Sequence, residues 1–214
     1  MIKKFKLSVP SNALNQIYNK VKKYPWNNIQ NMKGWEHGTN FKYLKEISKY
    51  WVTKFNWKKQ EKKINKFQNF TTKVEGINIH FIKEKGSGKN PTPLLILHGW
   101  PGSVVEFLNI IEKLAHPEKF GGKKEDAFDV IAPSLPGFGF SDAPGKPLGP
   151  RGIAKIMNKL MTKNLRYKKY IAQGGDWGAT ICNWLGYDHS KTCKGIHINC
   201  LTMRLIKGPL NKTE

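Results

Sequence analysis

Apolar residues change their spacing once along this chain, near residue 70. Before that point they recur at helical intervals, as at Leu14, Ile17 and Val21. The same interval returns further on, at Phe41, Leu44, Ile47, Trp51 and Phe55. Such a stripe is typical of amphipathic helices. The spacing therefore predicts that residues 1–70 are helical, with a third, Lys-rich helix over Trp57–Phe67.

After residue 70 the spacing falls to two, the period of a half-buried strand. Thr72–Glu75 and Ile77–Ile82 flank Gly76 and predict a hairpin. Further strands are predicted over Leu94–Leu97, Phe128–Ala132, Tyr170–Ala172 and Gly195–Asn199. Helical patterns separate them, over Phe107–Leu114, Ile153–Met161 and Ala179–Leu185. This alternation predicts an α/β fold, with a mostly parallel sheet and helices on both faces.

The composition is that of a folded chain with a basic surface. Of 214 residues, 39% are hydrophobic and 12% aromatic, which suffices for a packed core. The net charge of +22 results from 37 Lys and Arg against 15 Asp and Glu. Nucleic-acid readers cluster basic residues and favour Arg. Here Lys is scattered along the chain, and Arg occurs only at Arg151, Arg166 and Arg204. We therefore interpret the charge as a solvated surface and expect no specific nucleic-acid partner.

The cysteines and the start of the chain bear on location. Cys182, Cys193 and Cys200 have neither metal-binding nor redox-motif spacing, and an odd number without a secretory signal fits a reducing compartment. The basic start, Met1–Lys6, is not followed by an apolar region, and no apolar run is long enough to span a membrane. The sequence predicts a soluble, cytoplasmic protein without a metal site.

One segment, Gly174–Gly178 (GGDWG), has the layout of a nucleophile elbow, and we call it the elbow. A predicted strand precedes it and a predicted helix follows it. The turn between them is so tight that small residues must stand on both sides of the central residue. That residue is Asp176, which indicates an ester-forming carboxylate. The alternative is that Asp176 simply caps the helix.

Two other loops also follow predicted strands directly. The first loop is His98–Ser103 (HGWPGS), and the second loop is Pro133–Ser141 (PSLPGFGFS). Ser103–Glu106 has a capping-box pattern, and His80 lies among strand residues and is predicted to be structural. Because the carboxyl ends of parallel strands share one edge, the elbow and both loops are expected to meet at one site.

Together, the elbow and the two loops resemble the α/β-hydrolase-fold epoxide hydrolases of the microsomal and juvenile-hormone type and their bacterial relatives. The N-terminal segment is similar to that family as well, at Tyr24–Trp26, Gly38–Asn40, Tyr50–Trp51 and Trp57–Glu61. The resemblance extends over about residues 5–200.

The resemblance implies a division of the chain into three parts. Residues 1–70 would be the helical N-terminal segment and residues 71–200 the first half of the α/β-hydrolase core. Residues 201–214 would be a tail at the start of a lid that lies outside this sequence.

The resemblance also implies a chemistry without a cofactor. Asp176 would attack an epoxide carbon and form an alkyl ester, while lid tyrosines protonate the leaving oxygen. A histidine, oriented by an acid, would then activate water to release a vicinal diol. The backbone N–H groups of Trp100 and Trp177 would form the oxyanion hole. Loop support would come from His98, Gly99, Pro101 (after a cis Trp100–Pro101 bond), Gly175 and Gly178.

Part of that machinery has no counterpart in the sequence. In this fold the lid tyrosines, the acid and the histidine base would all come after the elbow in the sequence. His189 is expected one helix length from Asp176 and His197 within a strand, so neither is predicted to be the base. Asn199 could approach the site but cannot act as a base. We expect this chain to be incomplete, or inactive alone.

Two alternatives remain from the sequence. Haloalkane dehalogenases also use an Asp elbow followed by Trp, although they typically carry Asn where this chain has Trp100. A non-catalytic fragment or pseudoenzyme that acts as a binding module is the other. The expected partners are an epoxide and water, with a homo-oligomer or a complementing C-terminal half left open.

Overall fold

The computed structural model describes residues 1–28 and 34–201. It divides into two compact units, Leu7–Ile64 and a second unit that joins Met1–Lys6 to the chain from Asn65 onward. The predicted tail is 201–214, and its residues 202–214 lie outside the described residues.

The first unit is helical, as predicted. Its helices are α1 (Ser11–Lys22), α2 (Phe41–Thr53) and α3 (Trp57–Ile64), with a 3-10 turn at Trp26–Asn28. The Asn40 side chain caps α2 by accepting from the Tyr43 N–H at 3.1 Å. Helix α3 ends at Ile64 and not at Phe67, which belongs to the second unit and packs against one of its cores.

At its two ends the helical prediction for residues 1–70 is wrong. Lys3–Phe5 forms strand β1, which pairs antiparallel with strand β2 (Asn69–Val74). A three-residue strand is too short to show a period. Its conformation is set by a partner far along the chain.

The second unit is built on a seven-stranded sheet in the order β1-β2-β3-β5-β4-β6-β7. The remaining strands are β3 (Ile77–Glu84), β4 (Thr92–Leu97), β5 (Phe128–Pro133), β6 (Tyr170–Gly174) and β7 (Cys193–Ile198). Strands β4 to β7 are parallel, whereas β1, β2 and β3 join antiparallel. The sheet is therefore mixed, with a parallel half that carries the elbow.

The β2–β3 hairpin has the predicted turn. Val74 pairs with Ile77, and the two turn residues, Glu75 and Gly76, have φ angles of 50° and 85°. Positive φ at both positions matches the twist of the flanking strands.

Alternating residues of β4 define two cores. Leu95 and Leu97 belong to one apolar cluster, and Leu94 and Ile96 to another. The helices of this unit are α4 (Ile111–Ala115), α5 (Pro150–Lys159, which continues into a π turn) and α6 (Trp177–Asp188). Residues of α5 and α6 complete the first cluster, and residues of α4 complete the second. Helices on both faces of the sheet are thus confirmed.

The helix predicted around Phe107–Leu114 is broken. Ser103 and Glu106 form the predicted capping box, but the segment that they begin is a 3-10 turn, Val104–Phe107. Helix α4 starts only at Ile111. Just before it, the Ile110 N–H donates to the Phe107 carbonyl at 2.9 Å, three residues back, as in a 3-10 turn.

Among residues 1–28 and 34–201, no helix has the length and apolar character to cross a membrane.

His80 is a fully buried link between strands and the second loop. Its Nδ1 lies 2.9 Å from the Ser134 hydroxyl, and its Nε2 lies 2.9 Å from the Asn69 side-chain oxygen. Burial lowers the pKa of His80 to about 4. The prediction that this histidine is structural is confirmed.

The depressed pKa of His80 makes stability depend on pH. Between about pH 6.5 and 4 the unfolded chain binds a proton that the folded chain does not. The contribution of this histidine is therefore complete above pH 6.5 and is lost as the pH falls to 4. We expect this histidine to lower the free energy of unfolding by roughly 3 kcal/mol as the pH falls through that range.

Urea unfolding at several pH values checks this expectation. His80→Gln should flatten the pH dependence, whereas His37→Gln, at an exposed position, should leave it as in the wild type. An unchanged pH slope in His80→Gln would contradict the assignment.

Candidate active site

The elbow lies between β6 and α6, and its centre is strained. Asp176 has φ 49° and ψ −124°, a conformation that costs free energy in any residue with a Cβ. A Cβ on Gly174 would overlap the backbone of Gly178, and one on Gly178 would overlap the carbonyl oxygen of Leu97. Gly174 is therefore required by the turn, as the sequence pattern indicated, and Gly178 is required by the passage of β4 beside it.

The Asp176 side chain does not cap α6. The residue stands immediately before the helix, yet its carboxylate makes no capping hydrogen bond. Its Oδ1 instead accepts a hydrogen bond from the Trp100 N–H at 2.7 Å. The alternative interpretation of Asp176 as a helix cap is therefore wrong.

The first loop approaches Asp176 closely enough for that bond. A Cβ on Gly99 would overlap the Asp176 side chain, so glycine is needed at this position. The Trp100–Pro101 bond is cis, as expected. The loop thus points a backbone donor at a carboxylate oxygen.

His98 joins the first loop to the second. The Leu135 N–H donates to His98 Nε2 at 3.1 Å, and His98 Nδ1 lies 3.0 Å from the Gly99 carbonyl oxygen. A backbone N–H can only donate, so Nε2 is the acceptor and the proton is on Nδ1. Burial lowers the pKa of His98, although the Gly99 carbonyl and the Glu106 charge act in the opposite direction. His98 is uncharged at neutral pH and both its nitrogens are occupied.

Phe138 of the second loop connects this arrangement to the elbow. Its ring lies edge-on to His98 at 5.5 Å and to Trp177 at 6.2 Å between centroids. Trp177 is the first residue of α6, where backbone N–H groups have no partner inside the helix. The sequence interpretation did not single out Phe138. The signal for it was the apolar character of the second loop.

The second loop is itself held to the sheet. Ser141 donates from its hydroxyl to the Ser134 carbonyl at 2.7 Å and accepts from the His80 N–H at 2.9 Å. These bonds fix the loop that carries Leu135 and Phe138.

A pocket of about 330 Å³ opens over Asp176. It is lined by Leu97, His98, Gly99, Trp100, Pro101, Gly102, Glu106, Phe107, Gln173, Gly175, Asp176, Asn199 and Cys200. The elbow and the first loop meet here as predicted. The second loop does not line the pocket but packs behind it. Asn199 reaches the pocket, as the sequence suggested.

Glu106, Phe107, Gln173 and Cys200 are lining residues that the sequence interpretation did not assign to a site. Their approach to Asp176 depends on how the strands align. His189 and His197 do not line the pocket. His189 lies just beyond the far end of α6, next to Asp188, which pairs with Arg151 through bonds of 2.7 and 2.8 Å.

Comparison with known proteins identifies the family to which a chain with this site belongs. The family described as "alpha/beta hydrolase fold" matches residues 92–210, and "Epoxide hydrolase N terminus" matches residues 2–107. The chain belongs to the α/β-hydrolase-fold family. Within that family it resembles the epoxide hydrolases over most of its length.

Individual relatives agree with this assignment. Epoxide hydrolase 1 of Sus scrofa is 38% identical over 203 residues, which are 92% of this chain and 44% of that protein. The crystal structure of juvenile hormone epoxide hydrolase from the silkworm Bombyx mori superimposes with a TM-score of 0.84 at 34% identity, covering 96% of this chain and 49% of that one. The Aspergillus niger epoxide hydrolase structure gives a TM-score of 0.81 at 28% identity, covering 100% of this chain and 56% of that one. The chain thus spans about half the length of the relatives it matches.

The elbow glycines provide a stability test with a matched control in the same helix. In Gly178→Ala, the new Cβ meets the Leu97 carbonyl, and we expect a loss of about 2 kcal/mol or more. In Gly186→Ala, the new Cβ is 3.5 Å from Ile196, an ordinary contact, so a gain of about 0.5–1 kcal/mol is expected. Thermal and urea unfolding measure both, and equal effects would refute the steric account.

Proposed function

We propose that this chain carries the nucleophile and the oxyanion hole of an epoxide hydrolase. The observation that carries the proposal is the hydrogen bond of 2.7 Å from the Trp100 N–H to Asp176 Oδ1 at a strained elbow. The bond orients a carboxylate that is not used as a helix cap, and the pocket leaves room for a small substrate beside it.

In the first proposed step, Asp176 Oδ2 attacks an epoxide carbon. A C–O bond of the epoxide breaks as the ester bond forms, and the epoxide oxygen takes a proton from an acid. Oδ1, held by Trp100, becomes the carbonyl oxygen of the ester. A carboxylate held in one rotamer before reaction avoids the cost of ordering during attack.

In the second proposed step, water attacks the Asp176 carbonyl carbon. Negative charge then develops on Oδ1, which the backbone N–H groups of Trp100 and Trp177 stabilise. Collapse of this intermediate releases a vicinal diol and restores the carboxylate. A base must take one proton from the attacking water.

No histidine with a free ring nitrogen is found among the described residues that line the pocket. His98 is the histidine there, and both its nitrogens are occupied. In our proposal, base, acid and proton-donating tyrosines belong to a complementing polypeptide segment. The substrate is an epoxide, the second reactant is water, and the cytoplasm remains the proposed location because of the odd number of cysteines.

The names of the relatives favour an epoxide over a haloalkane as the substrate. Trp100 stands before Pro101, where a haloalkane dehalogenase typically has Asn. If the chain were only a binding module, no covalent product would form at Asp176. The formation of such a product therefore distinguishes the proposed enzyme from a binding module.

Trapping the ester tests the proposed nucleophile directly. The chain is incubated with a reactive aryl epoxide at mildly acidic pH, so that buffer acid protonates the leaving oxygen, and then digested for mass spectrometry. We expect an adduct on Asp176 that is absent from Asp176→Ala and retained in Glu125→Gln, an exposed carboxylate outside the pocket. An adduct on another residue, or no adduct at all, would contradict the proposal.

Gly99→Ala tests the orientation of the carboxylate. The added Cβ displaces the Asp176 side chain from the Trp100 N–H, and we expect ester formation to fall at least about tenfold. Gly145→Ala is the control because its Cβ enters open space. Equal rates of ester formation in the two variants would show that the bond is unimportant.

A further inference from the structure

The charge of the pocket is opposite to the charge of the chain. The sequence carries 37 Lys and Arg and a net charge of +22. Among the described residues that line the pocket, the charged ones are Asp176 and Glu106, and both are acidic. His98 is uncharged, as its hydrogen bonds require. A ligand in this pocket therefore meets two carboxylates and no described cation.

Glu106 is held in place by its own turn. Its Oε1 accepts from the Ser103 N–H at 3.1 Å, which completes the capping box. Gly102 makes room for it, because a Cβ there would overlap the same oxygen. The Glu106 charge also acts to raise the pKa of His98, against the larger effect of burial.

Local and distant charges act on a ligand with different strength. At about 0.15 M ionic strength the screening length is about 8 Å, so surface lysines beyond that distance contribute little inside the pocket. A carboxylate in the pocket wall contributes at short range, where screening is weaker. The pocket should thus respond to Glu106 more than to the net charge.

We infer that Glu106 is a specificity-determining residue that makes this pocket favour uncharged and cationic epoxides over those that carry a carboxylate or phosphate. The inference rests on the proposed function, since it names the substrate class of the same site. Glu106 acts here by its charge, and it takes no part in bond making.

Three epoxides that differ mainly in charge test the inference. They carry a trimethylammoniomethyl group, its uncharged neopentyl isostere and a carboxymethyl group. Dissociation constants are measured by ligand-observed NMR on the 214-residue chain, so that the readout needs no turnover. We expect the cation to bind about threefold more tightly than its isostere, and the anion to bind most weakly.

Glu106→Gln separates charge from structure. Glutamine can complete a capping box as glutamate does, so the turn is retained while the charge is lost. We expect the ratio of cation to isostere affinity to fall from about threefold to about 1.5–2-fold in this variant, because Asp176 keeps its charge. Glu112→Gln removes one exposed charge from α4 outside the pocket and should leave the ratio at its wild-type value.

Four outcomes would overturn the inference. The first is an affinity ratio in Glu106→Gln equal to that of the wild type, and the second is a change of this ratio in Glu112→Gln as large as the change in Glu106→Gln. The third is an anionic epoxide that binds as tightly as the cationic one, and the fourth is no binding by any of the three epoxides. Ester formation at Asp176 is measured on the same samples. If no ester forms but the cation is still preferred, the proposed function is contradicted and the role of Glu106 is not. If the ester forms but the three ligands show no charge preference, only the role of Glu106 is contradicted.

Discussion

The close approach of three backbone segments around Asp176 is the constraint on which the site depends. Strand β6 must turn directly into α6, and β4 must pass beside that turn. Gly174, Gly178 and Gly99 permit this because each stands where a Cβ would meet another segment. The approach strains Asp176 to φ 49° and brings its carboxylate within 2.7 Å of the Trp100 N–H. The strain and the hydrogen bond thus have one steric origin.

The layers behind the carboxylate carry no charge of their own. His98 connects the two loops as a neutral imidazole, and His80 ties the second loop to the sheet in the same form. Phe138 fills the space between His98 and Trp177. A rigid, uncharged support of this kind keeps a backbone donor oriented before reaction, which is how an oxyanion hole is effective.

The hydrophobic pattern predicted the parallel half of the sheet well, because β4 and β5 are buried on both faces and read as short apolar runs. It failed at Lys3–Phe5, whose partner β2 is distant in sequence, and at Phe107–Ile111, where helical spacing concealed a 3-10 turn and a break. Periodicity reports which face is buried, whereas edge pairing and breaks depend on neighbours that no short window contains.

By itself the sequence indicated the elbow, and one of its steric reasons is local: a Cβ on Gly174 would meet the backbone of Gly178, which is four residues along the chain. The capping box of Glu106 is a local pattern as well, whereas Trp100 and His98 were indicated by the resemblance of the first loop to the epoxide hydrolases. Only the tertiary structure decided that Asp176 accepts from Trp100 rather than from its own helix, and that Glu106 shares a pocket with it. Those facts depend on how β4 and β6 align side by side, a register that distant residues set together.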